Sequence, residues 1–337
     1  MLAYRNGEVV GRVLGIIRKD YNLEHNENNA RFAFLETPDD IEVAKSLLQK
    51  VEQWAIEQGC DGLVGPFGFS DKDPQGMVIE GFDEPAMMFT NGNFSYMPQL
   101  IEKCGFSEYI KLVQYKLPVN NDILDNTVPY SQRVLRNGTL SVVEFTRTKD
   151  IKPYINEVFE LINQTYTDIY GFTKVTRQEA NDFANRFLPL LNPQLIKIVL
   201  DQDGKIAAFV VAIANLGGAL KKSDGRLFPT GWYHLLKASK RSRELVLLLG
   251  AIRKDMQNKG INAVLGEYLI RSAMKLNYEI IDSHLIMESN HKMRAEIERL
   301  KGSVLYKKYC IYQKNLVKLA INTSVLCITN IFLASAS

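Results

Sequence analysis

The apolar and polar positions between residues 244 and 274 predict a strand, a basic turn and a helix, in that order. Residues 245–252 form an apolar run that is short enough to be a buried strand. The following turn is polar and ends at Gly260. Apolar residues then recur at the spacing of one helical face, at Ile261, Val264, Leu265, Tyr268, Leu269 and Ala273. We compare the rest of the chain with this strand, turn and helix.

An internal repeat predicts two copies of one α/β unit. Hairpin turns of the Asn-Gly and Asp-Gly type lie at Gly7 and Gly204, and similar helices end at Gly105 and Gly302. Both pairs of glycines are 197 positions apart. Between them a helix end recurs at an offset of 218, which indicates a 21-residue insertion in the first copy, within residues 68–89. We therefore predict two tandem copies of a mixed α/β sheet.

The repeat also sets the expected boundaries. We place the first copy at residues 1–118, a polar, turn-rich linker at 119–138, the second copy at 139–317 and a tail at 318–337. The tail is mildly apolar, but Asn, Thr and Ser interrupt it, so an edge strand or a loose tail is expected rather than a membrane span.

The first copy lacks counterparts of the opening elements of the second. The second copy begins with a strand near 140–146 and helices near 153–170 and 178–190, whereas the first begins directly with its hairpin. Either other elements fill that space, or the protein starts upstream of Met1. We expect the second alternative, with apolar surface exposed on the hairpin strands.

Two loops are candidates for lining a pocket. The insertion and its flanks, residues 65–96, are rich in turns and aromatic residues. They predict either a loop that lines a cleft between the copies or a surface flap packed by its own aromatic residues. In the second copy, two glycine clusters next to Trp232, Tyr233 and His234 predict a pocket wall, although a lone histidine is more often structural.

Composition narrows the class of protein. The chain has 337 residues, of which 46% are hydrophobic and 23% charged, so it can form two domains and is not disordered overall. The net charge of +3 is too small to indicate a nucleic-acid partner. The four cysteines are far apart and form no C-x-x-C motif, so no metal site or disulfide framework is predicted. No secretory signal opens the chain, and we expect a cytoplasmic protein without a membrane partner.

The basic turn is suited to an anionic ligand. The first N–H groups of a helix lack intrahelical partners, and the helix dipole adds positive potential there. A glycine lets a phosphate approach the backbone, and Arg253, Lys254 and Lys259 add positive charge. These features predict a phosphate-bearing ligand, and an ordinary strand-to-helix turn with a solvated basic face is the alternative.

The first copy is expected to lack this anion site. Its equivalent segment, residues 37–42, carries three carboxylates, which would repel a pyrophosphate. We expect Thr37 or Asp39 to cap the helix that follows. Ligand binding is therefore assigned to the second copy alone.

The sequence Gln-Asn-Lys-Gly-Ile-Asn at residues 257–262 resembles the Q/R-x-x-G-x-G/A acyl-CoA loop of the GNAT acetyltransferase superfamily. The departure from that pattern is Asn262, with the small Ala263 one step later. Gly11-Arg12-Val13 and residues 65–70 are similar to segments of a poorly characterised bacterial group of tandem GNAT proteins. The resemblance implies a twisted mixed sheet in which the fourth and fifth strands splay apart around the pantetheine arm of the cofactor.

The resemblance also implies the cofactor-binding residues. The end of the fourth strand would pair with the pantetheine amides, the turn and helix start would hold the pyrophosphate, and an Asn after the fifth strand would lie near the cofactor. The residues expected to bind acetyl-CoA or another acyl-CoA are Ala251, Ile252, Arg253, Gln257, Asn258, Lys259, Gly260, Ile261, Asn262, Ala263 and Asn290.

The tyrosine that commonly acts as general acid in that superfamily has no counterpart, because the corresponding segment reads Ile-Glu-Arg-Leu at 297–300. Loss of such an acid costs about 10²–10⁴ in rate unless another group replaces it. Glu288, His291, His284 and Tyr309 are the replacements that we consider, and Glu288, at a strand end, is our candidate catalytic residue.

Three functions are compatible with the sequence. The resemblance implies an N-acyltransferase that moves an acyl group, acetyl in most of that superfamily, from acyl-CoA to an amine of a small molecule or peptide. The missing tyrosine and Asn262 favour a non-catalytic acyl-CoA-binding or scaffold protein instead. An aminoacyl-tRNA-dependent transferase is a third alternative, because tandem copies of this fold occur there, although the small net charge argues against it.

Overall fold

A computed structural model describes residues 1–218 and 241–316. The predicted pocket wall at 232–234 and the tail at 318–337 lie outside the described residues. The strands are β1 Leu2–Arg5, β2 Glu8–Ile17, β3 Asn29–Glu36, β4 Gly62–Gly65, β5 Met77–Glu80, β6 Ser107–Pro118, β7 Leu140–Glu144, β8 Ile196–Asp201, β9 Ile206–Ala214, β10 Glu244–Ile252, β11 Ile280–Asp282, β12 Ile286–Met287 and β13 Val304–Asn315. The α-helices are α1 Lys19–His25, α2 Ile41–Glu57, α3 Met97–Lys103, α4 Asn121–Leu135, α5 Ile155–Thr165, α6 Arg177–Phe187, α7 Ile261–Lys275 and α8 His291–Glu298. Short 3₁₀ helices cover Thr148–Tyr154, Leu188–Leu190, Pro193–Leu195 and Lys254–Met256.

The described residues form one mixed sheet of 13 strands, which confirms the predicted α/β class. The strand order is β1-β2-β3-β4-β13-β6-β11-β10-β9-β8-β7, with β5 on β13 and β12 on β6. The two copies exchange their last strands, because β13 lies between β4 and β6 whereas β6 pairs with β11. A boundary at residue 118 therefore divides the chain but not the sheet.

The predicted linker at 119–138 contains a helix, which corrects our expectation of a turn-rich connection. Asn120 caps α4, because its side-chain oxygen accepts a hydrogen bond from the Ile123 N–H at 3.0 Å. Ile123 and Leu124 are buried, and α4 packs along α7. We did not predict α4 because this helix is polar on most of its surface and buries only a narrow apolar stripe.

The sheet opens between β10 and β12. Residues 244–246 of β10 pair in parallel with β11, but β12 pairs with β6 and not with β10. A bulge at Leu248 interrupts the pairing of β10 with β9. The second half of β10 therefore borders a gap, as the GNAT resemblance implies for the fourth and fifth strands.

The helices cover the sheet unevenly. Helices α2 and α3 pack on the first copy, whereas α4, α7 and α8 cover one face of the second and α5 and α6 cover the other. In the first copy Leu2, Tyr4, Val9 and Phe34 are each more than half exposed, so the expected apolar surface is present on its first three strands. Within the described ranges, no helix has the length and apolarity that crossing a membrane requires.

Candidate functional site

The N-terminus of α7 lies at the end of β10 and carries no side-chain cap. Gly260 is the N-cap residue, with φ 77°, and among the described residues no side chain caps the first turn. Asn258 also has a positive φ of 60°. A Cβ atom at Gly260 would lie 3.0 Å from Val134 on α4, so glycine suits both the backbone conformation and the space. The Ala263 N–H donates to the Gly260 carbonyl at 3.0 Å, so the N–H groups of Ile261 and Asn262 and the helix dipole are what the first turn offers to an anion.

The equivalent helix in the first copy is capped by its own carboxylate. Asp40 accepts hydrogen bonds from the N–H groups of Glu42 at 2.9 Å and Val43 at 3.4 Å. Arg5 also pairs with Asp40 at 2.7 Å, and this hydrogen bond lowers the pKa of the carboxyl group. The cap is thus Asp40 and not Thr37 or Asp39 as expected, because only Asp40 directly precedes the helix. An internal anion occupies this helix start, whereas no carboxylate of residues 1–218 or 241–316 caps α7.

The predicted cations of the turn differ in their availability. The Arg253 guanidinium pairs with Asp201 at 2.8 Å and Asp255 at 2.7 Å, and hydrogen bonding, led by Asp255, raises its pKa. Lys254 and Lys259 are exposed, and neither forms an ion pair in the part of the chain that the structure describes. These two lysines can therefore approach an anionic ligand more readily than Arg253.

A cavity of about 540 Å³ with both polar and apolar lining adjoins this turn. Its walls come from the turn itself, from the end of α4 and from the hairpin between β8 and β9. The lining includes Arg133, Asn137, Asp203, Met256 and Lys259. Hydrogen-bonding groups of both charges thus surround a space next to the uncapped helix.

The exposed edge of β10 is held by a tyrosine that our sequence reasoning missed. The Gly250 N–H donates to the Tyr166 hydroxyl at 3.2 Å, and that hydroxyl donates to the Gly250 carbonyl at 3.0 Å. Because the Arg253 N–H donates to Ala207 of β9 at 2.8 Å, strand alternation turns the backbone groups of Gly250 and Ile252 toward the gap. Alternation turns the N–H groups of Ala251 and Arg253 toward β9, whereas the backbone groups of Gly250 and Ile252 face the gap. The predicted cofactor contacts of Ala251, Ile252 and Arg253 stay predictions.

The local sequence pattern around residue 166 does not predict that Tyr166 lies at the candidate site. It ends α5, 84 positions before Gly250. Burial raises its pKa, so the hydroxyl keeps its proton at neutral pH. A protonated donor therefore lies at the strand edge that borders the gap.

A histidine lies on the other side of the gap. His284 is between β11 and β12 with φ 59°, and its backbone N–H donates to the Asp282 carboxylate at 2.9 Å. Val246 lies opposite Asp282 in the parallel pairing, so His284 is level with the bulge at Leu248. Burial lowers the pKa of His284 to about 4, and the imidazole is therefore neutral at pH 7.

Glu288 and Asn290, the predicted site residues after the fifth strand of the second copy, form contacts with β6 and α8. Glu288 follows β12, where its N–H donates to Lys111 of β6 at 2.9 Å and its carbonyl accepts from Arg294 at 3.0 Å. Asn290 caps α8, because its side-chain oxygen accepts from the Met293 N–H at 3.2 Å. Both residues stay predictions.

Two of the replacement acids that we considered lie in other settings. Tyr309 is fully buried in β13, and its hydroxyl donates to the Thr90 hydroxyl at 3.2 Å. His291 is exposed at the start of α8. Among the four residues that we considered as replacements for the tyrosine, His284 borders the gap between β10 and β12.

The insertion in the first copy reaches across to the second. Lys307 of β13 donates to the carbonyls of Glu84 and Pro85, each at 2.8 Å, which fixes the loop over the shared sheet. Met87 is 3% exposed and packs against β9 and β10, and Phe89 contacts Phe187 of α6 with ring centroids 6.3 Å apart. These contacts favour the cleft-lining alternative over a flap packed only by its own aromatic residues.

Two known proteins are similar to this chain over most of its length. No family model matches the chain. The bacterial ceramide synthase of Caulobacter vibrioides is 28% identical over 328 residues, which cover 94% of this chain and 83% of that protein. Protein YghO of Escherichia coli is 26% identical over 331 residues, which cover 94% of this chain and 81% of that protein.

Two solved structures share the architecture at low identity. A tandem GNAT protein from the clavulanic acid biosynthesis pathway is 11% identical, with a TM-score of 0.51 and coverage of 94% of this chain and 82% of that chain. A GCN5-related N-acetyltransferase from Sphaerobacter thermophilus is 10% identical, with a TM-score of 0.52 and coverage of 92% and 78%. The chain is thus a tandem GNAT-fold protein, and its two copies complete each other's sheets.

Proposed function

We propose that this chain is an acyl-CoA-dependent N-acyltransferase whose donor site lies in the second copy. The observation that carries the proposal is the uncapped N-terminus of α7, directly after a strand whose edge borders a gap. The first copy has the same elements, but Asp40 already fills its helix start. The similarity to a ceramide synthase supports acyl transfer, since a ceramide is a fatty acyl amide.

The donor would be held by backbone groups and two lysines. The pyrophosphate would accept hydrogen bonds from N–H groups at residues 259–262, with Lys254 and Lys259 nearby. The cavity beside the turn offers space for the nucleotide. A pantetheine amide would pair with the gap-facing backbone of Ile252, whose carbonyl now accepts a hydrogen bond from the Gln257 side chain at 3.2 Å. The Gly250 N–H would then be left for the thioester carbonyl.

The residues around the gap provide the elements of a direct acyl transfer. The amine attacks the thioester carbonyl, the C–N bond forms, and the C–S bond breaks. The Gly250 N–H would stabilise the oxyanion, and Tyr166 would protonate the leaving thiolate. Neutral His284 would accept the proton of the amine, with Glu288 as the alternative base. The amine acceptor is a small molecule, and the ceramide synthase similarity favours an amine with a hydrocarbon chain over a peptide.

A thiol-release assay with a panel of amines tests this function. Wild-type protein, Gly260→Asp and the control Gly59→Asp would be assayed with acyl-CoA donors and sphinganine, dodecylamine and a peptide amine. Gly59 also has a positive φ, of 84°, and has open space around it, so its variant matches the substitution without touching the site. We expect turnover in wild type and in Gly59→Asp, and its loss in Gly260→Asp.

Other outcomes would separate the alternatives. Binding of CoA without turnover of any amine would favour a non-catalytic acyl-CoA-binding protein. Turnover that requires aminoacyl-tRNA would favour the third alternative. Equal turnover by wild type and Gly260→Asp would contradict the placement of the donor on α7.

A further inference from the structure

An apolar groove lies under the second copy, between helices α5 and α6 and strands β8 to β10. Apart from Tyr154, the described residues that line it have aliphatic side chains or are phenylalanines, and they include Val158, Phe159, Phe183 and Leu248. Several of these side chains are only half-buried, so the groove is open along part of its length. A groove of this kind can take hydrocarbon but offers few partners to a polar ligand.

The groove adjoins the reaction site described above. Leu248 and Leu249 line it and directly precede Gly250, whose backbone faces the gap. Leu248 is also the bulge residue, where β10 departs from its regular pairing with β9. A thioester carbonyl held at Gly250, with its phosphates at the start of α7, would have its acyl end directed toward Leu248.

We propose that this groove holds the acyl chain of the donor, so that the preferred substrate is an acyl-CoA of about six carbons or more and not acetyl-CoA. The proposal rests on the proposed function, because it assumes that the thioester lies at Gly250. The continuity between the groove and the gap favours the donor chain over the hydrocarbon chain of the acceptor.

The size of the groove sets the chain length over which affinity rises. The groove has a volume of about 70 Å³. One water-sized group needs about 10–15 Å³ of such space, so the groove takes about five groups of that size. A methylene group is of similar size. Each buried methylene tightens binding by about fourfold, which corresponds to about 0.8 kcal/mol. Affinity should therefore rise about two hundredfold from butyryl-CoA to octanoyl-CoA, and further carbons should add less.

Calorimetric titration of CoA, butyryl-CoA, octanoyl-CoA and dodecanoyl-CoA tests the proposal. Val158→Phe fills the groove from α5, and Val128→Phe makes the same change at a half-buried valine on α4, outside the groove. We expect Val158→Phe to weaken octanoyl-CoA binding at least about tenfold and to change CoA and butyryl-CoA binding less than twofold. Val128→Phe should leave the chain-length profile unchanged.

A second experiment does not depend on how well Val158→Phe folds. Ala184→Val is a smaller filling change on α6, and an octanoyl-CoA with a terminal diazirine, whose chain matches the groove, should label α5 or α6 of the wild-type protein. Equal affinity for butyryl-CoA and octanoyl-CoA, or labelling elsewhere, would overturn the proposal. An effect of Val158→Phe on dodecylamine binding alone would assign the groove to the acceptor and also overturn it. Failure of CoA itself to bind would instead overturn the proposed function.

Discussion

The buried imidazole of His284 predicts a loss of stability in mild acid. In the unfolded chain a histidine has a pKa of about 6.5, whereas burial lowers the pKa of His284 in the folded protein to about 4. As the pH falls below 6.5, the unfolded state binds a proton that the folded state does not bind. The contribution of His284 to the free energy of unfolding is therefore complete above pH 6.5 and is lost between pH 6.5 and pH 4.

The magnitude follows from the two pKa values. A difference of about 2.5 pKa units corresponds to about 3 kcal/mol in full, of which about 2 kcal/mol is lost between pH 7 and pH 5. His284→Asn is a suitable comparison, because asparagine tolerates the positive φ of 59° at this position and does not titrate. Burial raises the pKa of the adjacent Asp282, which changes stability in the opposite direction, so the two proteins must be compared at each pH.

Urea unfolding of wild type and His284→Asn at pH 7, 6 and 5 measures this effect. The difference in free energy of unfolding between the two proteins should change by about 2 kcal/mol across that range, with the wild type losing more. A difference that stays constant with pH would refute the reasoning, because it would mean that His284 is equally basic in both states.

Three further changes test other parts of the structure. Tyr166→Phe should lower kcat about 10²-fold while changing the Kd for CoA less than twofold, and an unchanged kcat would exclude Tyr166 as the acid. Asp40→Ala removes the cap of α2, so thermal scans should show a midpoint lower by a few degrees, and altered CoA affinity would argue against ligand binding by the second copy alone. Gly171→Ala should lower the free energy of unfolding by about 2–4 kcal/mol, because its Cβ would lie 1.9 Å from Phe67 of the first copy and its φ is 77°. The control Gly204→Ala has open space, and equal losses in urea unfolding would show that the contact with Phe67 is unimportant.

Local sequence patterns predicted the helices and strands more reliably than they predicted which strands pair with each other. The strand, turn and helix from residue 244 to 275 follow from a short apolar run, a glycine and a helical apolar face, all of which act within one segment. The exchange of β6 and β13 could not be predicted in this way, because each strand has the same alternation whichever copy it completes. The helix α4 was missed for a different reason, since packing on α7 stabilises it more than its own composition suggests.

In the candidate site as well, local features could be predicted from the sequence and long-range contacts could not. The sequence indicated the turn at Gly260, whose requirement for a positive φ is a local property. It did not indicate Tyr166, because the contact with Gly250 depends on where the end of α5 lies over the sheet. Likewise, the alternation that turns Gly250 toward the gap and Arg253 toward β9 depends on the register with β9, which only the tertiary structure fixes.

We propose that the chain has one acyl-CoA site, at the uncapped start of α7. Calorimetric titration of CoA into wild type, Gly260→Asp and Gly59→Asp tests it most directly. An aspartate at position 260 would place a carboxylate at the α7 N-terminus, as Asp40 does at α2, and would repel the pyrophosphate. We predict one CoA per chain for wild type and Gly59→Asp, and affinity weakened at least about a hundredfold in Gly260→Asp. Two CoA molecules per chain, or full affinity in Gly260→Asp, would contradict the account.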